Sequence, residues 1–363
     1  MASLFDPIKI GDIELANRIV MAPLTRNRAV EGNCPGPLTV EYYRQRASAG
    51  LIVSEASQIS PMAQGYLDTP GIHSPEQVAA WRKVTDAVHA EGGKMVIQLW
   101  HVGRISHTSL LPGGAQPVSS TSRRPNAKTF TRDGFVDVSE PRALRDDEIP
   151  GLIADYRHAA RCAMEAGFDG VEVHSANTYL LDQFLRDTIN DRSGPYGGSI
   201  ANRARLLIEV MAAVSQEIGA GRTGVRLSPM TTFGGTAPLD SDPQALFGYV
   251  VDKLAPLGLA FIHMIEGETG GPRVPADAKP FDYEAVHRSF PGAWMVNNGY
   301  TGAEATAAVA SGKADLVAFG RPFIGNPDLV RRLKENAPLN ELRFDKFYGG
   351  GAEGYVDYPA LAA

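Results

Sequence analysis

Cysteine is scarce: Cys34 and Cys162 are the only two in 363 residues. Neither has metal-ligand spacing or a nearby partner, so a disulfide framework and a cysteine-based metal site are excluded, and a reducing cytoplasm is the expected setting. No uninterrupted apolar run is long enough to cross a bilayer. The start, MASLFDPIKIGD, lacks the charged-then-apolar pattern of a signal peptide. Positive charge is short too, with 35 Lys and Arg against 41 Asp and Glu. The only adjacent arginines are Arg123-Arg124 and Arg331-Arg332. A nucleic-acid or anionic-membrane surface needs more than that, which leaves small-molecule chemistry as the expectation.

What the chain has is rhythm. Short apolar runs recur, each followed by a helix-length segment. They are Arg18–Leu24, Leu51–Ala56, Lys94–Trp100, Gly170–Ala176, Thr223–Pro229, Phe261–Gly267, Ala293–Gly299 and Leu316–Arg321. Amphipathic helices are expected over Pro75–Ala90, Glu148–Ala166, Ile200–Ile218 and Asp242–Leu257. Ser74-Pro75, Asp242-Pro243 and Asn326-Pro327 read as capped, proline-started helix beginnings. Gly50, Gly167 and Gly258 read as helix stops. Near-continuous Val, Ile and Leu in the strands implies parallel strands buried on both faces, and a count of eight points to a closed (β/α)8 TIM barrel. Residues 1–363 are read as one barrel domain. A hairpin at Lys9–Leu15 should close its amino end. The Ser, Pro, Gly and Arg-rich stretch 102–143, after the third strand, is too long for a connection and should fold as a capping insertion.

The fourth run carries the densest chemistry. Period-two alternation puts Val171 and Val173 on one face and Glu172 and His174 on the other. Asn177 and Tyr179 follow as the chain leaves the strand. Alone, the window reads equally well as a satisfied core histidine and a turn asparagine. In a barrel of this kind, however, chemistry sits at the carboxyl ends of the strands. Those ends read Thr25, Ala56, Gln98 with Trp100, His174 with Asn177, Arg226, Glu266, Asn298-Gly299 and Gly320-Arg321. The set offers donors, arginines and an aromatic wall. It lacks a lysine for Schiff-base chemistry and a convincing metal set. Glu55 and Glu266 as a glycosidase pair would leave Arg226 and the donors unexplained.

The glycines after strands seven and eight mark the recurrent phosphate site of this fold, although glycines also simply make turns. GGGAEG at Gly349–Gly354 matches the dinucleotide pattern only formally, because it follows no strand and opens no helix.

Six motifs together make the chain resemble the old yellow enzyme family of FMN-dependent ene-reductases. They are RIVMAPLTRNRA from Arg18, EYYRQRASAGLIVSEA from Glu41, QLWHVGR from Gln98, HSANTYLLDQFLRD from His174, VAFGRPFIGNPDLV from Val317 and FYGGGAEGYVDYP from Phe347. Thr25 and Trp100 resemble the branch holding the yeast enzymes and the bacterial N-ethylmaleimide and nitrate-ester reductases. The resemblance implies that Pro23, Leu24 and Thr25 line a tightly bound, non-covalent FMN, with Ala56 and Gln98 at its pyrimidine part and Arg226 beside the ring. It places the FMN phosphate at Asn298, Gly299, Gly320 and Arg321. Tyr66, Trp100 and Tyr348 become the substrate wall. His174 and Asn177 become the pair holding the substrate oxygen, and Tyr179 the proton donor.

The reaction implied is ping-pong. NAD(P)H gives a hydride to FMN and leaves, and an activated alkene then takes it. Such alkenes are α,β-unsaturated carbonyls, maleimides or nitroalkenes; nitrate esters are a further acceptor class. The family's state would be monomer or homodimer. The chain departs from the pattern at Asn177, where the nitrate-ester and maleimide reductases usually have histidine, at Thr178, where glycine is common, and at the loop Gly194–Gly198. Two rivals stand beside this reading: a flavin-free phosphate-binding aldolase or isomerase barrel, and a flavin-binding protein without turnover.

Overall fold

A computed structural model describes residues 1–273 and 279–362. Among them, eight parallel strands close into a barrel: β1 Ile19–Met21, β2 Leu51–Val53, β3 Met95–Trp100, β4 Gly170–Ser175, β5 Thr223–Leu227, β6 Phe261–Ile265, β7 Ala293–Asn297 and β8 Leu316–Phe319. Closure is made by β8 against β1, with Phe319 opposite Met21. The fold is a TIM barrel.

The helices form the outer ring: α1 Pro37–Arg44, α2 Pro75–Ala90, α3 Ile149–Glu165, α4 Ile200–Ile218, α5 Pro243–Leu254, α6 Tyr283–Arg288, α7 Gly302–Ala310 and α8 Leu329–Glu335. Outward strand residues such as Val171, Val173 and Val225 join Leu152, Tyr156, Leu207 and Val210 of α3 and α4 in one apolar layer. Fully burying each such side chain is worth about 1.5–3 kcal/mol. Ser74 and Gln77 form a full capping box at α2, and Asp242 caps α5 through Ala245 N at 3.1 Å.

Two expected helix signals are wrong. Asn326 caps nothing: its amide donates to Pro322 O at 2.7 Å and its Oδ1 accepts from Asn340 N at 2.8 Å. The chain already turns helical at Arg321–Gly325, directly after β8, and α8 starts only at Leu329. Gly50 is no helix stop either. It is glycine because a Cβ there would lie 2.0 Å from Asn17 O. Gly167 and Gly258 do hold the left-handed backbone of a stop, at φ 85° and 71°.

Inside the barrel, inward positions change character along the strands. At the amino end they are apolar: Val20, Leu51, Val53, Val96, Phe261, Met295 and Leu316 pack on Ile10, Ile13 and Leu15 of the hairpin, which plugs that end. Towards the carboxyl end the same faces carry Gln98, Glu172, His174, Arg226, His263 and Asn297, all buried. A barrel plugged below by hydrocarbon and polar above presents its chemistry at one mouth. Stretch 102–143 carries two small ribbons, Val118–Ser119 beside Arg142–Ala143 and Lys128–Thr131 against Gly134–Asp137.

Candidate active site

At the exit of β4 the backbone takes two consecutive left-handed residues, Asn177 at φ 55° and Thr178 at φ 62°. Asparagine tolerates that region, whereas a β-branched residue is strained there. The turn is held by Asp182, which accepts from Thr178 N at 2.8 Å and pairs with buried Arg186 at 2.9 Å. Arg186 in turn donates to Thr231 O at 2.8 Å, tying the turn to the loop after β5. The departure at Thr178 is thus a costly residue at a position whose dihedrals suit glycine.

The geometry fixes what the donor pair offers. Nδ1 of His174 accepts from Ala176 N at 3.3 Å, which leaves the ring proton on Nε2. Burial, then the positive charges of Arg226 and His263, hold its pKa well below the ordinary value, so the ring is neutral. Asn177 Oδ1 accepts from Thr269 Oγ1 at 2.7 Å, so its Nδ2 is the face left to donate. Tyr179 packs edge-on to Trp100 and His174 with centroids 5.0 and 5.1 Å away. Burial drives its phenol pKa well above 10.

Beneath these groups lies a polar floor. Glu172 accepts from Gln98 Nε2 and from His263 Nδ1, both at 2.7 Å. That bond fixes the Gln98 amide by its Nε2. Arg226 donates to Asn297 Oδ1 at 2.8 Å, and Asn297 donates to Ala318 O at 2.7 Å. Burial lowers the Arg226 pKa to about 10, so the guanidinium stays charged at neutral pH.

A cavity of about 790 Å³ opens over this floor. Its wall takes in Pro23, Leu24, Thr25, Ala56, Gln98, Trp100, His174, Asn177, Tyr179, Arg226, Asn298, Gly299, Gly320, Arg321 and Tyr348. Of the residues that the resemblance assigns to cofactor, substrate or catalysis, Tyr66 alone is off the wall. Its ring lies parallel to Trp100, with centroids 5.7 Å apart, and its phenol oxygen is 3.1 Å from that of Tyr179. Asn298 reaches the wall with its side chain already spent. Nδ2 donates to Glu266 O at 2.7 Å and Glu268 O at 2.8 Å, while Oδ1 accepts from Gly270 N. Any contact with an anion there falls to its main chain.

Glu55 and Glu266 lie off the wall, which removes the glycosidase pair. Glu266 accepts from Tyr300 at 2.6 Å and pairs with Lys313, and Glu55 is enclosed with Tyr43 and Arg26. The stretch from Lys346 to Gly354, which contains GGGAEG, proves to be a cradle of carbonyls. Arg26 donates to Phe347 O and Gly354 O at 2.8 and 2.9 Å, and Arg28 to Lys346 O at 3.0 Å and Gly351 O at 3.2 Å. Tyr355 stacks under both guanidiniums. These bonds bring Phe347 and Tyr348 to the cavity mouth.

Sequence reasoning missed Phe233, Thr269 and Asn297, which also line the cavity, and the Glu172–His263 pair under it. Asn297 and His263 had a signal, since alternation from Arg226-like inward positions points both inward. Phe233 and Thr269 sit in loops and had none. Among the described residues, no cluster of three or more His, Cys, Asp or Glu is placed to hold a metal.

A barrel mouth with a buried cation beneath and an aromatic wall above suits a flavin oxidoreductase, and the chain's relatives are of that class. The model of the NADH:flavin oxidoreductase / NADH oxidase family matches residues 3–340, and the chain belongs to that family. It is 47% identical to 12-oxophytodienoate reductase 1 of Oryza sativa subsp. japonica, covering 99% of this chain and 93% of that protein. It is 43% identical to 12-oxophytodienoate reductase 2 of Arabidopsis thaliana, over 99% and 96% of the two chains. Among solved structures, morphinone reductase in complex with tetrahydroNAD superposes with a TM-score of 0.93 at 45% identity, covering 100% and 98%. The old yellow enzyme homologue from Zymomonas mobilis gives 0.94 at 45%, covering 99% and 100%. The protein is an FMN-dependent ene-reductase of the old yellow enzyme type, with NAD(P)H as hydride donor. A flavin-free aldolase or isomerase is thereby ruled out.

The cavity fits FMN on its own geometry. Arg226 Nε is buried without a partner, as a cation awaiting an anionic or acceptor edge would be. A Cβ at Gly299 would meet nothing within 4 Å, and one at Gly320 only Leu24 at 3.5 Å, so space is kept beside both.

Proposed function

We propose that this chain reduces the C=C bond of α,β-unsaturated carbonyl compounds, with maleimides and nitroalkenes as further acceptors and nitrate esters as a class to be tested. One observation carries the reading: two neutral donors of fixed orientation, His174 Nε2 and Asn177 Nδ2, share a cavity wall with a phenol that stays protonated. The relatives are named as reductases of 12-oxophytodienoate and of morphinone, both carbonyl compounds by name, which supports the same class here.

Pro23, Leu24, Thr25, Ala56, Gln98 and Arg226 would hold the FMN ring, and Asn298, Gly299, Gly320 and Arg321 its phosphate. Bound there, FMN supplies hydride transfer from NAD(P)H to the alkene. The chain's own residues do the rest. Trp100 and Tyr348 confine the substrate, with Tyr66 packed on Trp100 and bonded to Tyr179. His174 and Asn177 donate to the substrate oxygen and stabilise the negative charge that grows on it; one such donor is typically worth roughly 3–4 kcal/mol. Tyr179 protonates the α-carbon, and Tyr66 solvates the phenol oxygen it leaves. The Arg226 cation favours negative charge above the floor.

No helix among the described residues is long and apolar enough to cross a membrane. Both cysteines are free thiols, which supports a reducing cytoplasm as the protein's place; monomer or homodimer is the proposed state. The test is turnover of NADPH and NADH against a panel of enones, maleimides, nitroalkenes and nitrate esters. Enone reduction by a yellow protein that releases FMN and no FAD is expected. Flavin reduction without turnover of any acceptor would leave only a flavin-binding protein.

A further inference from the structure

The loop after β6 makes contacts that the reaction as described does not use. Glu268 receives four hydrogen bonds from the loop after β5: Thr231 Oγ1, Thr232 N and Thr232 Oγ1 at 2.8 Å each, and Gly234 N at 3.3 Å. A carboxylate only accepts, so the Thr231 hydroxyl must point its hydrogen at Glu268. Its lone pairs are then free to accept from Thr269 N at 3.1 Å and Phe233 N at 3.2 Å, and they do. Thr269 is therefore fixed by its backbone. Its hydroxyl projects to Asn177 Oδ1 at 2.7 Å. The same carboxylate sets Phe233, at φ 51°, whose ring centroid is 6.0 Å from that of Tyr179.

An asparagine amide has one donating and one accepting end, and only the donating end helps a substrate oxygen. With a substrate oxygen on Nδ2, Oδ1 faces away and needs a donor, since a buried carbonyl left unpaired is costly. Asn177 itself sits in the left-handed region, at φ 55°, next to the strained Thr178. We propose that Thr269 is a positioning residue for Asn177, holding its amide with Nδ2 towards the substrate, and that Glu268 holds Thr269 in place through Thr231. This rests on the reading that Asn177 donates to the substrate oxygen. It adds that the loops after β5 and β6 set how well it does so, and hence which acceptors are reduced well.

The test uses the FMN-loaded full-length protein and four variants: Thr269→Val, Thr269→Ser, Asn177→Ala, and Asn177→Ala with Thr269→Val. Binding of 2-cyclohexenone to the oxidised protein is read from the flavin absorbance, and reoxidation of the NADPH-reduced protein by 2-cyclohexenone is read by rapid mixing. Thr269→Val keeps the shape and removes one donor. It should weaken binding and slow reoxidation by roughly tenfold each, about the worth of one hydrogen bond, with a smaller effect on reduction by NADPH. Thr269→Ser restores the hydroxyl and should return both to within about twofold. On an Asn177→Ala background Thr269→Val should add nothing, because the amide it orients is gone. Full additivity, or failure of Thr269→Ser to rescue, overturns the positioning role while leaving the donor pair standing. If Asn177→Ala alone leaves reoxidation unchanged, the donor pair itself fails, and the proposal with it.

Discussion

The phenol oxygens of Tyr66 and Tyr179 lie 3.1 Å apart, and Trp100 packs against both rings. In the proposed mechanism Tyr179 is the proton donor and Tyr66 its hydrogen-bond partner. Tyr179→Phe should spare flavin binding and the NADPH step but lower enone turnover, because an enolate needs its proton as it forms. A nitronate is stable enough to leave unprotonated, so nitroalkene consumption should suffer less and nitronate should be detectable. Tyr66→Phe should give the same pattern in weaker form. Equal loss with both acceptors in Tyr179→Phe excludes it as the acid.

Burial raises the Tyr179 phenol well above 10 and lowers His174 well below 6.5. Neither group then changes its protonation between roughly pH 6.5 and 9. Reoxidation by an enone should be flat across that window when followed by rapid mixing. A fall as pH rises through about 8 would mean that Tyr179 ionises there; a fall between roughly pH 6.5 and 7.5 would mean that a protonated His174 is losing its charge there.

Much of this was legible beforehand, and the reason is physical. Strands buried on both faces are written as Val, Ile and Leu runs, and their period of two identifies inward residues such as Gln98 and His174. The carboxyl ends of those runs therefore gave the cavity wall from Thr25 to Arg321. Contacts made between loops leave no such trace. Thr269 and Phe233 owe their places to Glu268 and Thr231, a pairing between two loops that neither one encodes alone. The resemblance assigns Asn298 to the phosphate without saying which of its groups would serve; the carbonyls of Glu266 and Glu268 take its amide, which leaves the main chain. The resemblance assigns Tyr66 to the substrate wall, and its contacts there are the Trp100 ring and the Tyr179 phenol.

Glu55 offers a stability test away from the chemistry. Burial raises its pKa to about 7, despite the pull of Arg26 and Tyr43. A carboxyl whose folded pKa lies above its unfolded value contributes stability in full below about pH 4.5, and loses it as pH rises through about 7. Glu55→Gln removes that dependence. Chemical denaturation should find the variant gaining on the parent by up to about 3 kcal/mol between pH 5 and pH 8. Parallel curves for the two proteins would show that Glu55 is ionised throughout.

Arg321 stands on the cavity wall directly after β8, its guanidinium 3.5 Å from Gly270 O. Arg321→Ala should weaken FMN retention by about tenfold, the loss of one charge-assisted phosphate contact. Equilibrium dialysis or fluorescence titration of the apoprotein with FMN measures it. Unchanged affinity would move the phosphate elsewhere.

The most direct measurement compares the two half-reactions of the protein in which His174 and Asn177 are both replaced by alanine. In the proposed mechanism the pair acts on charge that develops on the substrate oxygen, and no such oxygen is present when NADPH reduces the flavin. Rapid mixing should show reoxidation by an enone slowed by about a thousandfold or more, with reduction by NADPH impaired far less. Equal losses in the two halves would contradict the oxyanion role on which the account rests.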